Sequence, residues 1–251
     1  MSGPQRAPTI ERRVNRSDLG AIETLTRGSL RPLGLMPRAS NYTFLVEVTC
    51  AGETSLAVYK PRDGEAPLWD FPDGTLCRRE VAAFALSRAL GWPAVPPTVL
   101  RDGPLGIGSV QLFVEADPAE HYFTLRQSRA EDFLPVAAFD VAANNADRKS
   151  GHCLLGQEET LWVVDHGVCF GVEPKLRTVI WDFAGEPVPE PLREDLRRVA
   201  GELRSGPLHI ELLELLDRHE VEASAQRAEA LAKSGRYPTP GMDRSYPWPP
   251  V

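Results

Sequence analysis

Lys60, Glu80, Asp147 and Asp165 are the residues of this chain whose types and order suit a shared chemistry. Lys60 closes a run of β-forming residues, and Glu80 lies in the first turn of a stretch with helical spacing. Asp147 stands in the polar run Asn144-Asn145-Ala146-Asp147-Arg148-Lys149-Ser150-Gly151-His152, and Asp165 follows the apolar run Leu161–Val164 and precedes His166-Gly167. Phosphoryl transfer asks a protein for a lysine on the phosphates, a carboxylate to hold it, metal ligands, and a carboxylate near the nucleophile. Singly, these residues are a strand-end lysine, a helix-opening acid and turn residues, all ordinary surface features. Their order and spacing make the case together. The step from Asp147 to His152 is that of D-x-x-x-x-N in kinase catalytic loops, and Asp165 follows after a short hairpin, as a D-x-G metal aspartate does. His152 stands where that pattern has Asn. A ring nitrogen suits softer metals than Mg²⁺, which leaves three roles open: a ligand for Mn²⁺ or Mg²⁺, a phosphate contact, or the mark of a site that binds nucleotide without turnover.

The elements that must position these residues are readable in outline. Ala21 to Arg31 reads as a strand, Pro32 to Asn41 as a loop, Tyr42–Val48 and Ser55–Lys60 as two strands, and Arg78–Leu90 as a helix stopped by Gly91. Pro61 to Thr75 reads as an ordered flap around Trp69 and Phe71, since linkers seldom carry such large apolar side chains. Val95–Leu100 and Ile107–Glu115 are expected as strands, Phe133–Asn144 as a helix, and Cys153–Leu155 with Leu161–Val164 as a hairpin. From Pro189 to Lys233 leucines alternate with charges, the pattern of two or three amphipathic helices. The expected fold is α+β and two-lobed, with a small antiparallel-sheet lobe carrying one helix (residues 21–115) and a mainly helical lobe (116–236). A flexible N-terminus (1–20) and a Pro/aromatic tail (237–251) flank them.

Composition narrows the partners. The formal charge of −7 argues against a general nucleic-acid binder, which needs a basic surface. No stretch is apolar for long enough to span a bilayer, and with an acidic pI stable membrane anchoring is not expected. Cys50, Cys77, Cys153 and Cys169 form no C-x-x-C pair, so the expectation is a reducing, cytoplasmic setting. A zinc site built on His152, Cys153, His166 and Cys169 lacks the usual paired spacing.

The run Phe139-Asp140-Val141-Ala142-Ala143-Asn144-Asn145-Ala146-Asp147-Arg148 resembles the F-D-x-x-x-x-N-x-D-R catalytic loop of atypical kinases related to phosphatidylinositol 3- and 4-kinases, with HipA-like kinases more distant. More closely, Tyr59-Lys60-Pro61, Leu68-Trp69-Asp70-Phe71-Pro72, the Asn144–Lys149 run and Val164-Asp165-His166-Gly167 resemble an uncharacterised, mainly actinobacterial family with suspected distant similarity to those kinases. The resemblance spans roughly Arg31 to Gly185. It implies the protein-kinase-like fold, with ATP and Mg (or Mn) as cofactors and an unknown protein, lipid-headgroup or small-molecule hydroxyl as acceptor. It implies Lys60 on the phosphates, Glu80 orienting it, Asp147 by the acceptor hydroxyl, Arg148 bracing the loop, and Asp165 with His152 on the metal. Ser40 and Asn41 fall where a phosphate-covering loop lies, and Gln111, Phe113 and Val114 where an interlobe hinge meets adenine. A nucleotide-binding pseudokinase and a nucleotidyltransferase are the alternatives. Lys175, Arg177, Trp181 and Phe183 lie in the activation- or substrate-loop position.

Overall fold

The computed structural model describes residues 16–37, 41–241 and 244–251, and all structural statements concern these. A five-stranded antiparallel sheet is built from β1 (Ser29–Leu35), β2 (Phe44–Cys50), β3 (Glu53–Pro61), β4 (Thr98–Gly103) and β5 (Gly106–Leu112), in the spatial order β1-β2-β3-β5-β4. Lys60 is the penultimate residue of β3 and pairs with Ser109 of β5. Beside that pair the strands leave no room for a side chain on Gly108, because a Cβ there would lie 2.4 Å from the Lys60 carbonyl oxygen. A larger residue would push β3 away from its register at the lysine.

Two helices accompany the sheet. Helix α1 (Arg16–Arg27) occupies part of the stretch expected to be a strand, and the first strand follows it. Its buried Leu25 joins Val46, Val48, Ala57, Tyr59 and Val110 in the sheet's small core. Arg101 fastens the end of the helix by donating to the carbonyls of Leu25 and Gly28, each at 2.8 Å. The strand β1 runs through Pro32 and Gly34, expected to break it. An edge strand tolerates a proline, and the register shifts between these two residues.

Helix α2 (Leu76–Leu90) carries Glu80. Its first N–H groups, which have no partner within the helix, are capped from a distance: the Glu65 carboxylate accepts from Leu76 at 3.0 Å and Cys77 at 2.7 Å. That meets a helix N-terminus's need for acceptors and suits its dipole. The C-terminal half of α2 shares one large core with the helical part of the chain, so Glu80 is held by the larger body, while Lys60 comes from the sheet.

The helical part comprises α3 (Tyr122–Leu125), α4 (Ala130–Ala143), α5 (Glu190–Arg204), α6 (Pro207–Leu213) and α7 (Arg218–Ser234), with the hairpin β6 (Cys153–Leu155) and β7 (Leu161–Val163). Leu192, Leu196, Val199 and Leu203 of α5 pack with Val221, Ala225 and Ala228 of α7, the interhelical seam expected of the alternating leucines. Arg79, enclosed at 1% exposure, ties α2 into this body. It donates to Glu220 of α7 at 2.5 Å and to the Cys169 carbonyl at 2.7 Å, and its guanidinium lies 4.8 Å from the Phe71 ring centre. None of the described helices is long and apolar enough to cross a membrane.

Breaking a buried charge pair leaves the partner charge uncompensated, at a cost of about 3–5 kcal/mol. Arg79→Met is therefore expected to lower the urea midpoint by that amount of free energy. A midpoint unchanged from wild type would show that α2 is not anchored through Arg79.

Candidate active site

Three elements bring charged side chains into contact. Lys60 extends from the end of β3 and its Nζ contacts a Glu80 carboxylate oxygen of α2; it also donates to Asp165 Oδ1 at 2.8 Å. Asp165 follows β7 in the left-handed region, with φ of 61°, which an aspartate accepts more readily than most residues. Its carboxylate remains half exposed. The Lys60 ammonium is disfavoured by burial, but the Asp165 and Glu80 charges outweigh that and raise its pKa. Asp165 is held well below the usual carboxylate range, mainly by Lys60. Both groups are thus charged at neutral pH.

The loop bearing Asp147 is built on a buried ion pair. Arg148 and Asp140 are both fully enclosed. The guanidinium Nε lies 3.1 Å from each Asp140 oxygen and one terminal nitrogen 2.9 Å from Oδ1; the other donates to the Val164 carbonyl at 2.9 Å. A guanidinium cannot accept, so the 2.8 Å contact from Arg148 to His166 Nε2 makes that ring nitrogen the acceptor. Burial and then Arg148 push the His166 pKa well below normal, keeping the ring neutral. The backbone N–H of His166 donates to Glu80 Oε2 at 2.9 Å. From Asp140 the network continues through Asn145, whose amide donates to Asp140 at 3.1 Å and accepts from the Asp147 N–H at 3.0 Å. One hydrogen-bonded chain therefore runs from Lys60 to the backbone of Asp147.

Asp147 itself pairs with Lys149 at 3.2 Å. Burial raises its pKa, with Lys149 opposing and Asp165 adding to the rise, which makes it a stronger base than an ordinary carboxylate. Asn144 ends α4 in the left-handed conformation, with φ of 50°. Its side chain donates to the carbonyls of Gly171 and Glu173 and accepts from the Lys175 N–H, fixing the segment that follows Asp165.

His152 lies against Asp165, with Nε2 3.2 Å from Oδ2. Its Nδ1 accepts the Lys149 N–H at 3.3 Å, so in the neutral ring the proton sits on Nε2 and points at the carboxylate. Burial lowers the His152 pKa to about 4, against the pull of Asp165. A half-exposed ionised carboxylate fits a hard divalent cation shared with substrate phosphates. In this tautomer His152 is a donor to that carboxylate and presents no free lone pair. Among the described residues no group of three His, Cys, Asp or Glu is arranged to hold a metal alone. Cys153 and Cys169 are buried free thiols, and burial pushes the Cys153 pKa up to about 12 and that of Cys169 well above normal, which disfavours the thiolate a zinc site needs.

The softer sequence expectations fare unevenly. Asn41 lies in the β1–β2 connection, where its side chain accepts the Ala66 N–H at 2.7 Å, and Ser40 lies outside the described residues. The Gln111 side chain is buried and donates to Thr98 at 2.8 Å, while its backbone lies between β3 and β4. Phe113 and Val114 follow the strand, and the Phe113 N–H donates to the Leu56 carbonyl at 3.0 Å. Among the described residues no hydrogen bond or ion pair joins Asn41, Gln111, Phe113 or Val114 to the Lys60 cluster. A cavity of about 450 Å³ bordering the flap is lined by Arg62, Glu65, Leu68, Phe71 and Asp73 among others, and none of the cluster residues lines it. Sequence reasoning assigned no role to Asp140, Asn145 or Lys149, and weighed His166 only as a metal ligand. The available signal was a charged residue, Asp140, inside the otherwise apolar run from Phe133 to Ala143 of α4.

Over 261 aligned positions the chain is 40% identical to Protein Rv2133c of Mycobacterium tuberculosis, covering 90% of this chain and 93% of that protein. This chain belongs to the Rv2133c family. Two further relatives are named phosphatidylinositol 4-kinase gamma 4: the Oryza sativa protein is 30% identical over 47% of this chain, and the Arabidopsis thaliana protein 26% identical over 66%. The matches span only 27% and 33% of those plant proteins. No protein-family profile matches the chain. Among solved structures, the Helicobacter pylori proinflammatory kinase CtkA superposes with a TM-score of 0.50 at 14% identity, covering 85% of this chain and 94% of that one. The Golgi casein kinase superposes with a TM-score of 0.52 at 16% identity, covering 93% and 81%. The Rv2133c-family chain therefore has the two-lobed kinase-like α+β fold.

Two outcomes follow from the buried charges. Arg148→Met leaves Asp140 enclosed without its partner and is expected to cost about 3–5 kcal/mol in chemical denaturation; a loss below about 1 kcal/mol, the worth of a surface pair, would contradict the enclosure. For His152 the unfolded chain binds a proton near pH 6.5 while the folded chain resists until about pH 4. Stability of the metal-free protein should thus fall as pH drops through that window, by up to about 1.4 kcal/mol per unit. His152→Gln should flatten part of the slope, and an unaltered slope would mean that the ring is not held neutral.

Proposed function

We propose that this Rv2133c-family protein is an ATP- and metal-dependent phosphotransferase that moves the γ-phosphoryl group of ATP to a hydroxyl acceptor. The observation that supports it is the contact of Lys60 with Glu80 and Asp165, continued by hydrogen bonds to the loop of Asp147. In this reading Lys60 binds the ATP phosphates, and Glu80 keeps its ammonium aimed at them. Asp165 holds the divalent metal, which when bound neutralises phosphate charge. His152 orients the Asp165 carboxylate through its Nε2–H. The acceptor oxygen attacks the γ-phosphorus, the bond from that phosphorus to the bridging oxygen breaks, and ADP leaves with the electron pair. The acceptor proton passes to the Asp147 carboxylate, whose raised pKa suits it to the task. Purine contact falls to the backbone after β5, at the Phe113 carbonyl and Val114, since the Gln111 side chain and the Phe113 N–H are already engaged. The names of the two plant relatives agree with the reaction class.

A second reading, binding without turnover, draws on one observation: both Asp165 oxygens have nitrogen partners, Lys60 and His152.

The test uses γ-labelled and α-labelled ATP with Mg²⁺ or Mn²⁺. Release or transfer of γ label is expected from wild type. Asp147→Ala should reduce it by about 10²–10⁴-fold, the usual worth of a positioned base, with ATP affinity nearly unchanged. Lys60→Met and Asp165→Asn should weaken ATP binding itself. Transfer of α label would establish nucleotidyl transfer instead, and full ATP binding by both Lys60→Met and Asp165→Asn would remove the site assignment.

A further inference from the structure

The C-terminal segment, residues 244–251, is absorbed by none of the roles above, yet it is hydrogen-bonded to the catalytic loop. The carbonyl of Pro250 accepts the Ser150 N–H at 2.9 Å, three residues beyond Asp147. The Ser245 carbonyl accepts from the Thr178 N–H and the Trp181 indole, each at 3.1 Å, and the Tyr246 ring stands across the Trp181 ring at 6.5 Å. The Arg244 carbonyl accepts Nε of Arg177 at 3.2 Å. Thr178 in turn lies in a parallel bridge with Arg148. Segment, substrate-loop region and catalytic loop thus form one frame.

This frame gathers cations in a protein of net charge −7. Lys149 pairs with Asp147, and Lys175 with Asp70 of the flap. Among the described residues, Arg177 and Arg244 have no carboxylate partner. The Arg177 N–H donates to the Asn145 carbonyl and its carbonyl accepts the Arg148 N–H, each at 2.9 Å, so Arg177 flanks the Asp147 loop on which Lys149 also lies, and the Arg177 side chain joins it to Arg244. Guanidinium groups left without an anion beside a catalytic carboxylate are suited to an oxyanion, which they take by charge-assisted, often paired hydrogen bonds.

Resting on the phosphotransferase reading, we infer that the C-terminal segment forms one wall of the acceptor site and that Arg244 is a specificity-determining residue: the acceptor carries a phosphate group near the hydroxyl that is phosphorylated. Arg244 and Arg177 hold that phosphate, while Asp147 faces the hydroxyl.

The full-length protein is saturated with Mg²⁺ and a non-hydrolysable ATP analogue, so that the nucleotide's own phosphate positions are filled, and glycerol 3-phosphate is titrated by calorimetry with glycerol as control. Wild type should bind the phosphate ester and not glycerol. Arg244→Gln keeps the backbone carbonyl that Arg177 holds and sits at an exposed position, so folding is expected to survive. It should weaken phosphate-ester binding about tenfold, the scale of one charge-assisted hydrogen bond, with analogue affinity unchanged, and Arg244→Lys should restore part of the loss. Vesicles containing phosphatidic acid, run in parallel, tell a soluble ester from a lipid headgroup. Equal affinity in wild type and Arg244→Gln, or no binding of either phosphate source to the analogue-loaded protein, overturns the inference. Failure of the analogue itself to bind brings down the nucleotide reading beneath it.

Discussion

Arg148 holds a permanent positive charge where water does not reach, and the site is organised around meeting that demand. Removing a guanidinium from water costs several kcal/mol even after relaxation, and the group cannot shed its proton. Asp140 supplies the countercharge, the Val164 carbonyl takes one terminal nitrogen, and His166 offers its Nε2 lone pair to the other. Each answer has a second consequence. Binding Val164 fixes the residue before Asp165, and engaging His166 sets its tautomer and places its backbone N–H on Glu80. Asp140 also receives Asn145, which positions the Asp147 backbone. Electrostatic preorganisation, charges placed before a ligand arrives, therefore has a structural origin here in one enclosed cation.

Burial is distributed unequally around this centre. Glu80, Asp140, Arg148 and His166 are enclosed, whereas Asp165 is half exposed. The enclosed groups have their hydrogen bonds committed, apart from His166 Nδ1, which has no partner among the described residues. The exposed carboxylate is the one free to exchange protein nitrogens for other partners. The core that holds α2 belongs mostly to the helical lobe, while Lys60 belongs to the sheet. The Lys60 contacts with Glu80 and Asp165 therefore join the sheet to the helical body.

Much of this was legible in sequence, for reasons that differ by residue. Lys60 and Asp165 each sit where a local pattern ends, so element boundaries placed them in order, whereas Glu80 lies in the second turn of α2 and not the first turn expected, because the helix begins at Leu76. Pro32 and Gly34 concealed β1, because an edge strand tolerates residues that an internal strand does not. The stretch from Ala21 concealed α1, because the helix begins at Arg16, ahead of the residues read as a strand, and among its described side chains only Leu25 is buried. Asp140 was visible as a motif letter but not as a countercharge, since its partner lies on the next loop and only packing reveals the enclosure. The proton position on His152 depends on the Lys149 backbone, which no residue type records.

With histidine where the kinase pattern has asparagine, the neighbours of Asp165 decide which atoms can move. Asp165 has two nitrogen neighbours, Lys60 on Oδ1 and His152 on Oδ2. Lys60 retains Glu80 if it leaves Asp165, so its charge stays paired. His152 has Nδ1 committed to the Lys149 N–H and no second acceptor for Nε2 among the described residues; turning away would strand a buried donor, at a cost of about 1–3 kcal/mol. Exchange of partners at Asp165 is therefore cheaper at Oδ1 than at Oδ2. The carboxylate opens toward the lysine and the phosphates that lysine would hold, while the histidine keeps its other oxygen in place.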